Sequence, residues 1–349
     1  MRFDVFNPYK MLAHTDKISK ILKYENEPPI SVSIDPTSKC NHNCMWCSSS
    51  GYRMDNKNVS LSPDILRALC NEFKDMGIEG VYFEGGGEPL CNLSTIHAIE
   101  NLKRLEIPTG LITNGVLLKK GRDMDSLLES CEFIRISIDA ASAETYYHIR
   151  GANDFETVRR NVEELARRKI NIKSSCEIGL SFLIYKNNYT EIEQFVRIFR
   201  DAGANYIQFK PVIMNEDWLD DRLYDYLTYH LWMVENKYAS PEFRVTANIR
   251  RLREVRDRYQ RLYGECLGHN LVAIIMSSGE LSICCQHRGV KPLTFGNLRV
   301  NSFREIWNGK ARQEAIKKIN LSRCPTCKYE SYNQMLWAMK YPNKHACFL

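Results

Sequence analysis

Along the first two-thirds of the chain, compact β-rich apolar runs alternate with longer stretches in which apolar residues return at helical spacing. The runs Ile30–Ile34, Gly80–Glu84, Thr109–Thr113, Phe133–Ile138, Cys176–Ile184 and Tyr206–Lys210 predict six strands. Between them Pro63–Met76, Leu93–Leu105, Phe155–Arg168 and Tyr189–Ala202 predict helices, the first capped by Ser62 with Pro63 in its first turn. Such alternation implies parallel βαβ units. Six of them predict an α/β fold built on a partial (βα)6 TIM-type barrel. The alternation stops after Pro211, where Trp218–Lys237 and Ala247–Tyr263 predict two helices with no strand between them. Beyond Gly264, cysteines surround a hairpin signal at Ser277-Ser278-Gly279-Glu280. The expected organisation is an N-terminal extension over 1–28, the barrel over 29–215, a helical connector over 216–263 and a small cysteine-rich metal-binding domain over 264–349.

Composition narrows the chemistry. Apolar residues make up 44% and charged residues 26%, ordinary for a globular chain. No apolar run is long enough for a membrane span, and Met1–Lys17 carries charges where a signal peptide needs an apolar stretch. A cytoplasmic protein with no membrane partner is expected. Thirteen cysteines in a reducing compartment point to metal or catalysis before disulfides. With seven of them as thiolates on two doubly charged iron–sulfur cores, the formal +6 falls to +3, too little to imply a nucleic acid partner.

Cys40-x3-Cys44-x2-Cys47 follows the first predicted strand and so belongs on the first βα loop, at the barrel face where active sites sit. Three thiolates can hold three irons of a [4Fe-4S] cluster and leave the fourth iron open. A zinc site that borrows His42 as its fourth ligand is the alternative. The later strand ends carry companions: Glu84-Gly85-Gly86-Gly87-Glu88-Pro89, Thr113-Asn114-Gly115, Ser137-Ile138-Asp139 and His148-Ile149-Arg150-Gly151. With these motifs most of the chain resembles the radical SAM superfamily. The resemblance implies S-adenosylmethionine bound to the open iron, with Trp46 near its adenine and Gly86, Gly87 and Glu88 at its amino group. It also implies Asn114, Ser137, Asp139, Arg150 and Ser181 as further cofactor contacts, and an external reductant such as flavodoxin or ferredoxin.

A second set, Cys266, Cys284, Cys324 and Cys327, has the paired spacing of a closed metal site, open to zinc or iron–sulfur on spacing alone; Cys285 is the alternative to Cys284, which the Gly-x4-Cys spacing favours. Behind a radical SAM core this set resembles the twitch domain, a shortened SPASM domain with one auxiliary [4Fe-4S] cluster. Asn333 stands where a full SPASM domain would continue with cysteine. Of the remaining thiols, Cys70 and Cys131 fit apolar patterns, whereas Cys91 and Cys285 are candidate hydrogen donors to a substrate radical. Glu84, Lys210 and His287 are candidate substrate contacts. The arginine-rich helix over 247–263 is expected to present a solvated basic face.

The resemblance implies a 5′-deoxyadenosyl radical that takes hydrogen from a small-molecule substrate: a sugar, a cyclitol or a cyclitol-bearing nucleobase. Dehydrogenation, carbon–nitrogen lysis (as by a queuine lyase) and epimerisation are the outcomes expected. A ribosomal-peptide maturase is the alternative, although 39 residues before Cys40 are few for a peptide-binding winged helix. An iron–sulfur or zinc binding module without enzyme activity would explain the cysteines but not the strand-end motifs.

Overall fold

A computed structural model describes residues 7–118, 121–213, 218–257 and 261–347. Its strands are β1 (Ser31–Ile34), β2 (Gly80–Phe83), β3 (Thr109–Thr113), β4 (Phe133–Ser137), β5 (Glu177–Ile184), β6 (Tyr206–Pro211), β7 (Arg244–Ala247), β8 (Val272–Ile275), β9 (Leu281–Ser282) and β10 (Thr294–Phe295). They form one sheet in the order β10-β9-β8-β1-β2-β3-β4-β5-β6-β7. Every pairing from β8 through β1 to β7 is parallel, and only β8-β9-β10 is antiparallel. This is a partial TIM-type barrel with a small cysteine-rich region after it.

Two expectations are corrected. A strand, β7, does lie between the two late helices, and it pairs with β6 from Tyr206↔Arg244 to Phe209↔Ala247. The sheet also crosses the expected boundary near 263, because β8 pairs with β1 from Ser31↔Val272 to Ile34↔Ile275. The late helices span Asp221–Tyr238 and Ile249–Arg256. Arg258 and Tyr259 of the predicted second helix lie outside the described residues.

The helix Pro63–Asp75 shows how sequence sets local structure here. The Ser62 hydroxyl accepts from the Ile65 amide at 3.3 Å, and Pro63 occupies the first turn, where no amide donor is required. Its buried face is Leu66, Leu69, Cys70 and Phe73, at three- and four-residue spacing. The outward-facing strand residues are the barrel's core: Val32, Ile34, Val81, Phe83, Leu111, Ile134, Ile136, Ile178, Leu180, Ile207 and Phe209 are all buried. Alternate residues face the lumen. There Gly110 and Gly179 leave room for rings: an added Cβ would stand 2.3 Å from the Phe133 ring and 1.9 Å from the Tyr206 ring.

A buried ion pair joins the barrel to the region beyond it. Asp35 follows β1, has no exposed side-chain surface, and receives Arg288 in a forked contact of 2.7 and 3.1 Å. Its approach uses Gly85, whose φ is +99° and whose missing Cβ would lie 1.8 Å from the Asp35 carboxylate. Removing one partner of such a pair strands a buried charge. Asp35→Ala is therefore expected to destabilise the protein by about 3–5 kcal/mol, with most of the loss recovered in Asp35→Leu/Arg288→Met. Urea unfolding of the three proteins checks this; an unchanged midpoint for Asp35→Ala would refute it.

Candidate active site

The three-cysteine loop is stapled to the end of a neighbouring helix. Helix Ala143–Arg150 ends at Gly151 in the left-handed conformation, φ 65°. Its last carbonyls, which lack partners inside the helix, accept from the loop instead: Asn43 N–H donates to Arg150 O at 3.1 Å and Met45 N–H to Ile149 O at 3.0 Å. His42 is buried, points Nε2 at Asp154 (3.2 Å) and packs edge-on against Tyr146. The borrowed-histidine zinc site is therefore set aside, because that imidazole is engaged elsewhere in the fold.

Cations stand beside the thiols. Arg150 Nη1 lies 3.4 Å from Cys44 Sγ, and Arg53 Nη1 lies 3.9 Å from Cys47 Sγ. Burial pushes the Cys40 thiol up to about 11, so that thiol ionises when a metal replaces its proton. Among the described residues no three His, Cys, Asp or Glu side chains are grouped tightly enough to hold a single metal ion. A four-iron cluster takes one thiolate per iron, and three spaced thiols suit it.

The glycine-rich loop presses on the root of the cysteine loop. An added Cβ at Gly87 would lie 2.0 Å from the Lys39 carbonyl, and Glu88 N–H donates to that carbonyl at 2.8 Å. Gly86 lines the cavity with Asp35 and the Thr37 carbonyl close behind it. Glu88 is buried and accepts from Leu90 N–H (3.1 Å), Thr113 Oγ1 (2.6 Å) and Asn114 N–H (2.7 Å). Its oxygens thus tie the loop to the end of β3. Asn114 continues the chain of contacts, donating through Nδ2 to Asn41 of the cysteine loop at 2.7 Å.

Trp46 packs edge-on with Tyr185, which in turn meets Trp218, giving one aromatic wall beside the cysteines. Asp139 has φ 65°, accepts from Leu183 N–H at 2.7 Å and pairs with Arg150 at 2.7 Å. Ser137 and Ser181 are register partners on β4 and β5. Trp46, Gly86, Gly87, Glu88, Asn114, Ser137, Asp139, Arg150 and Ser181 all line one cavity of about 1190 Å³ with Cys40, Cys44 and Cys47.

The lumen beneath is polar. Glu84 accepts from Ser33 Oγ (3.3 Å) and Lys328 Nζ (3.2 Å). Burial works against its carboxylate, yet Lys328, Arg288 and Arg135 bring it down to about 2. Burial, then Arg135 and Lys328, bring the Lys210 ammonium down to about 7. Cys285, Gln286, Arg288, Lys328, Tyr329 and Tyr332 complete the wall from the C-terminal region. Of the two candidate hydrogen donors, Cys285 reaches this wall and Cys91 does not. His287 is also off the wall, since its Nε2 turns to Cys324 Sγ at 3.4 Å.

The second cysteine set is held by amide–sulfur contacts. Tyr329 N–H donates to Cys327 Sγ at 3.3 Å and Gln286 N–H to Cys284 Sγ at 3.5 Å. Burial, then the nearby Cys327, push the Cys266 thiol up to about 12. Asn333 accepts from Leu267 and Gly268 amides at 2.8 and 2.7 Å and lies 3.8 Å from Cys327 Sγ. It joins the Cys266 turn to Cys327 without being a thiol itself. Two arginines of the expected solvated face act as a clamp instead: Arg251 donates to Cys327 O, and Arg261 to Cys324 O and Pro325 O, while Arg250 and Arg253 are exposed. Cys70 and Cys131 are buried, as their apolar settings suggest.

Sequence reasoning missed Asp35, Arg135 and Lys328. Arg135 carried a signal, because it lies two residues before Ser137 and so on the same strand face. Asp35 and Lys328 carried none.

Comparison with known proteins agrees with this geometry. The profile of the Radical SAM superfamily matches residues 34–202, and an iron-sulfur cluster-binding domain, SPASM, matches residues 266–328. A probable GTP 3′,8-cyclase of Methanococcus aeolicus is 28% identical over 190 residues, 52% of this chain and 60% of that protein. The PqqA peptide cyclase of Gluconobacter oxydans is 23% identical over 184 residues, 52% of this chain and 49% of that protein. The chain thus spans about half the length of the curated relatives it matches. Among solved structures, Streptococcus suis SuiB bound to its precursor peptide SuiA superposes with a TM-score of 0.66 at 18% identity, covering 92% of this chain and 74% of that one. The structure of anSMEcpe with bound AdoMet gives 0.59 at 18% identity, covering 86% and 87%. At such identities the likeness is one of fold. No helix among the described residues is long and apolar enough to cross a membrane.

The two cysteine sets are separately built, so their metal contents should be separable. Wild-type protein reconstituted without oxygen is expected to hold two clusters. Cys40→Ala/Cys44→Ala/Cys47→Ala should lose about four irons and keep about four. Iron and zinc analysis checks this, and stoichiometric zinc in the triple variant would refute an iron–sulfur second site.

Proposed function

The chain belongs to the radical SAM superfamily and carries a SPASM-type auxiliary-cluster domain, and we propose that it removes hydrogen from a small polar substrate held in the barrel lumen. S-adenosylmethionine and its [4Fe-4S] cluster, once reduced by a flavodoxin- or ferredoxin-type donor, supply a 5′-deoxyadenosyl radical. The observation that carries the substrate reading is the lumen wall: Glu84, Arg135, Gln208, Lys210 and Lys328 offer polar groups on several sides. A peptide backbone has little use for so many inward charges. A polyhydroxylated or nitrogen-bearing ring, such as a sugar, a cyclitol or a cyclitol-bearing nucleobase, satisfies them.

The residues divide the work by position. Arg150 and Arg53 stand beside two of the cluster thiols. Trp46, Gly86, Gly87, Asn114, Ser137 and Ser181 surround the space for the cofactor, and Glu88 fixes the loop that presents it. Glu84 is ionised and suits a hydroxyl or ring N–H donor on the substrate. Dehydrogenation, carbon–nitrogen lysis of the queuine lyase kind and epimerisation all begin from this arrangement. Epimerisation alone needs a hydrogen donor, and the position of Cys285 on the cavity wall, with Cys91 off it, supports Cys285 for that part. The peptide reading keeps one specific support, the relative named as a PqqA peptide cyclase.

Reduced wild-type protein is expected to convert S-adenosylmethionine to 5′-deoxyadenosine and methionine, and Cys40→Ala/Cys44→Ala/Cys47→Ala to have no such activity. Undiminished cleavage by the triple variant would remove the basis for the assignment. Adding the low-mass filtrate of a cell extract should raise 5′-deoxyadenosine formation. Stimulation by the peptide fraction alone would transfer the assignment to a maturase.

A further inference from the structure

We propose that Lys210 forms an oxyanion subsite in the lumen, to which the substrate presents a carboxylate or a phosphate group. This rests on the small-substrate reading and narrows it to anionic substrates.

Lys210 is the fifth residue of β6 and shares its inward face with Tyr206 and Gln208, all three lining the cavity. Three cations around the cavity have carboxylate partners. Arg288 pairs with Asp35 at 2.7 Å, Lys328 with Glu84 at 3.2 Å and Arg150 with Asp139 at 2.7 Å. The Lys210 side chain makes no hydrogen bond or ion pair among the described residues. Its charged surroundings are Arg135 and Asp139 at β4, Glu84 after β2 and Lys328 from the C-terminal region. Both acids are already committed, Glu84 to Lys328 and Ser33, and Asp139 to Arg150 and the Leu183 amide.

A half-buried ammonium that faces a cavity without a paired counter-charge is costly, and proteins keep such groups where a ligand completes them. Here the missing element is one negative group. A carboxylate or phosphate at Lys210 Nζ would relieve its repulsion with Arg135 and Lys328. Burial and those two cations bring the free ammonium to about 7, so ligand affinity should depend on pH near neutrality. The sign follows from the charge: an oxyanion binds the protonated form, so affinity is full below about pH 7 and falls above it.

The test uses the anaerobic holoenzyme with both clusters and S-adenosylmethionine, titrated calorimetrically with sulfate and separately with acetate. Both probes keep a fixed charge between about pH 6 and pH 9, and sulfate stands in for phosphate. At least one is expected to bind, and whichever binds more tightly names the class. Its affinity should fall roughly tenfold or more across that range, as the competent fraction falls. Lys210→Gln should weaken binding at least tenfold, whereas Lys210→Arg should retain it and lose the pH dependence. That rescue separates a ligand contact from a folding defect. Binding of neither anion, or equal binding by Lys210→Gln, overturns the subsite. So does a turnover rate that rises above about pH 7 only when Lys210 is present, which would make it a proton acceptor. Reductive cleavage of S-adenosylmethionine by the same wild-type preparation reports separately on the underlying enzyme reading.

Discussion

The Asp35–Arg288 pair fixes the geometry on which the site depends. Asp35 sits at the end of β1, five residues before Cys40, and its amide donates to Ile275 O at the end of β8. Its carboxylate fills the space that Gly85 leaves, and Arg288 arrives from four residues beyond Cys284. One buried contact therefore sets the spacing of the first cysteine loop, the glycine-rich loop and the second cysteine set. Such a pair contributes little net stability, because desolvation offsets most of its attraction. What it contributes is register: Asp35 has Arg288 as its ion-pair partner and Arg288 otherwise has only Glu84, at 3.9 Å, so a displaced C-terminal region would leave Asp35 buried and unpaired.

The same logic organises the rest of the interior. Glu84 ties β2 to Lys328, the residue after Cys327, and Asp139 ties β4 to Arg150, which also approaches Cys44. Each pair links a barrel strand end to a segment adjoining a cluster cysteine. Glu88 and Asn333 do comparable work as acceptors, Glu88 between two strand ends and Asn333 between two turns of the second set. The thiols themselves need few direct supports because their backbones are held at both sides.

Six strands and the cysteine ligands were legible because each rests on a local rule. A strand in a parallel barrel shows as a short apolar run, and iron–sulfur chemistry demands cysteines at set spacing. Strand β7 was not legible: Arg-Val-Thr-Ala has one buried apolar residue, and only its pairing with β6 makes it a strand. The sheet's passage from β1 to β8 was hidden for a related reason, since the partners lie far apart in sequence. Lone charges were hardest. Nothing local marks Asp35 or Lys328 before the fold brings each to its partner, while Arg251 and Arg261 read as a solvated face until the Cys324–Cys327 loop lies against them. His287 erred the other way, a chemically apt residue that the backbone turns from the lumen.

The arginine clamp explains how a barrel that does not close by backbone pairing still encloses its lumen. Strand β7 ends the sheet on one side, and β8 attaches the C-terminal region to β1 on the other. Arg251 in the helix after β7, and Arg261 beyond it, reach across to carbonyls of the Cys324–Cys327 loop. The C-terminal region is thereby tied to both flanks of the gap, by a strand ladder at one and by side chains at the other. The clamp also has an electrostatic purpose. A metal centre bound by those thiols would carry net negative charge, which the two guanidinium groups at the adjoining carbonyls would oppose. Closure of the barrel and charge balance at the second cysteine set are thus met by the same residues.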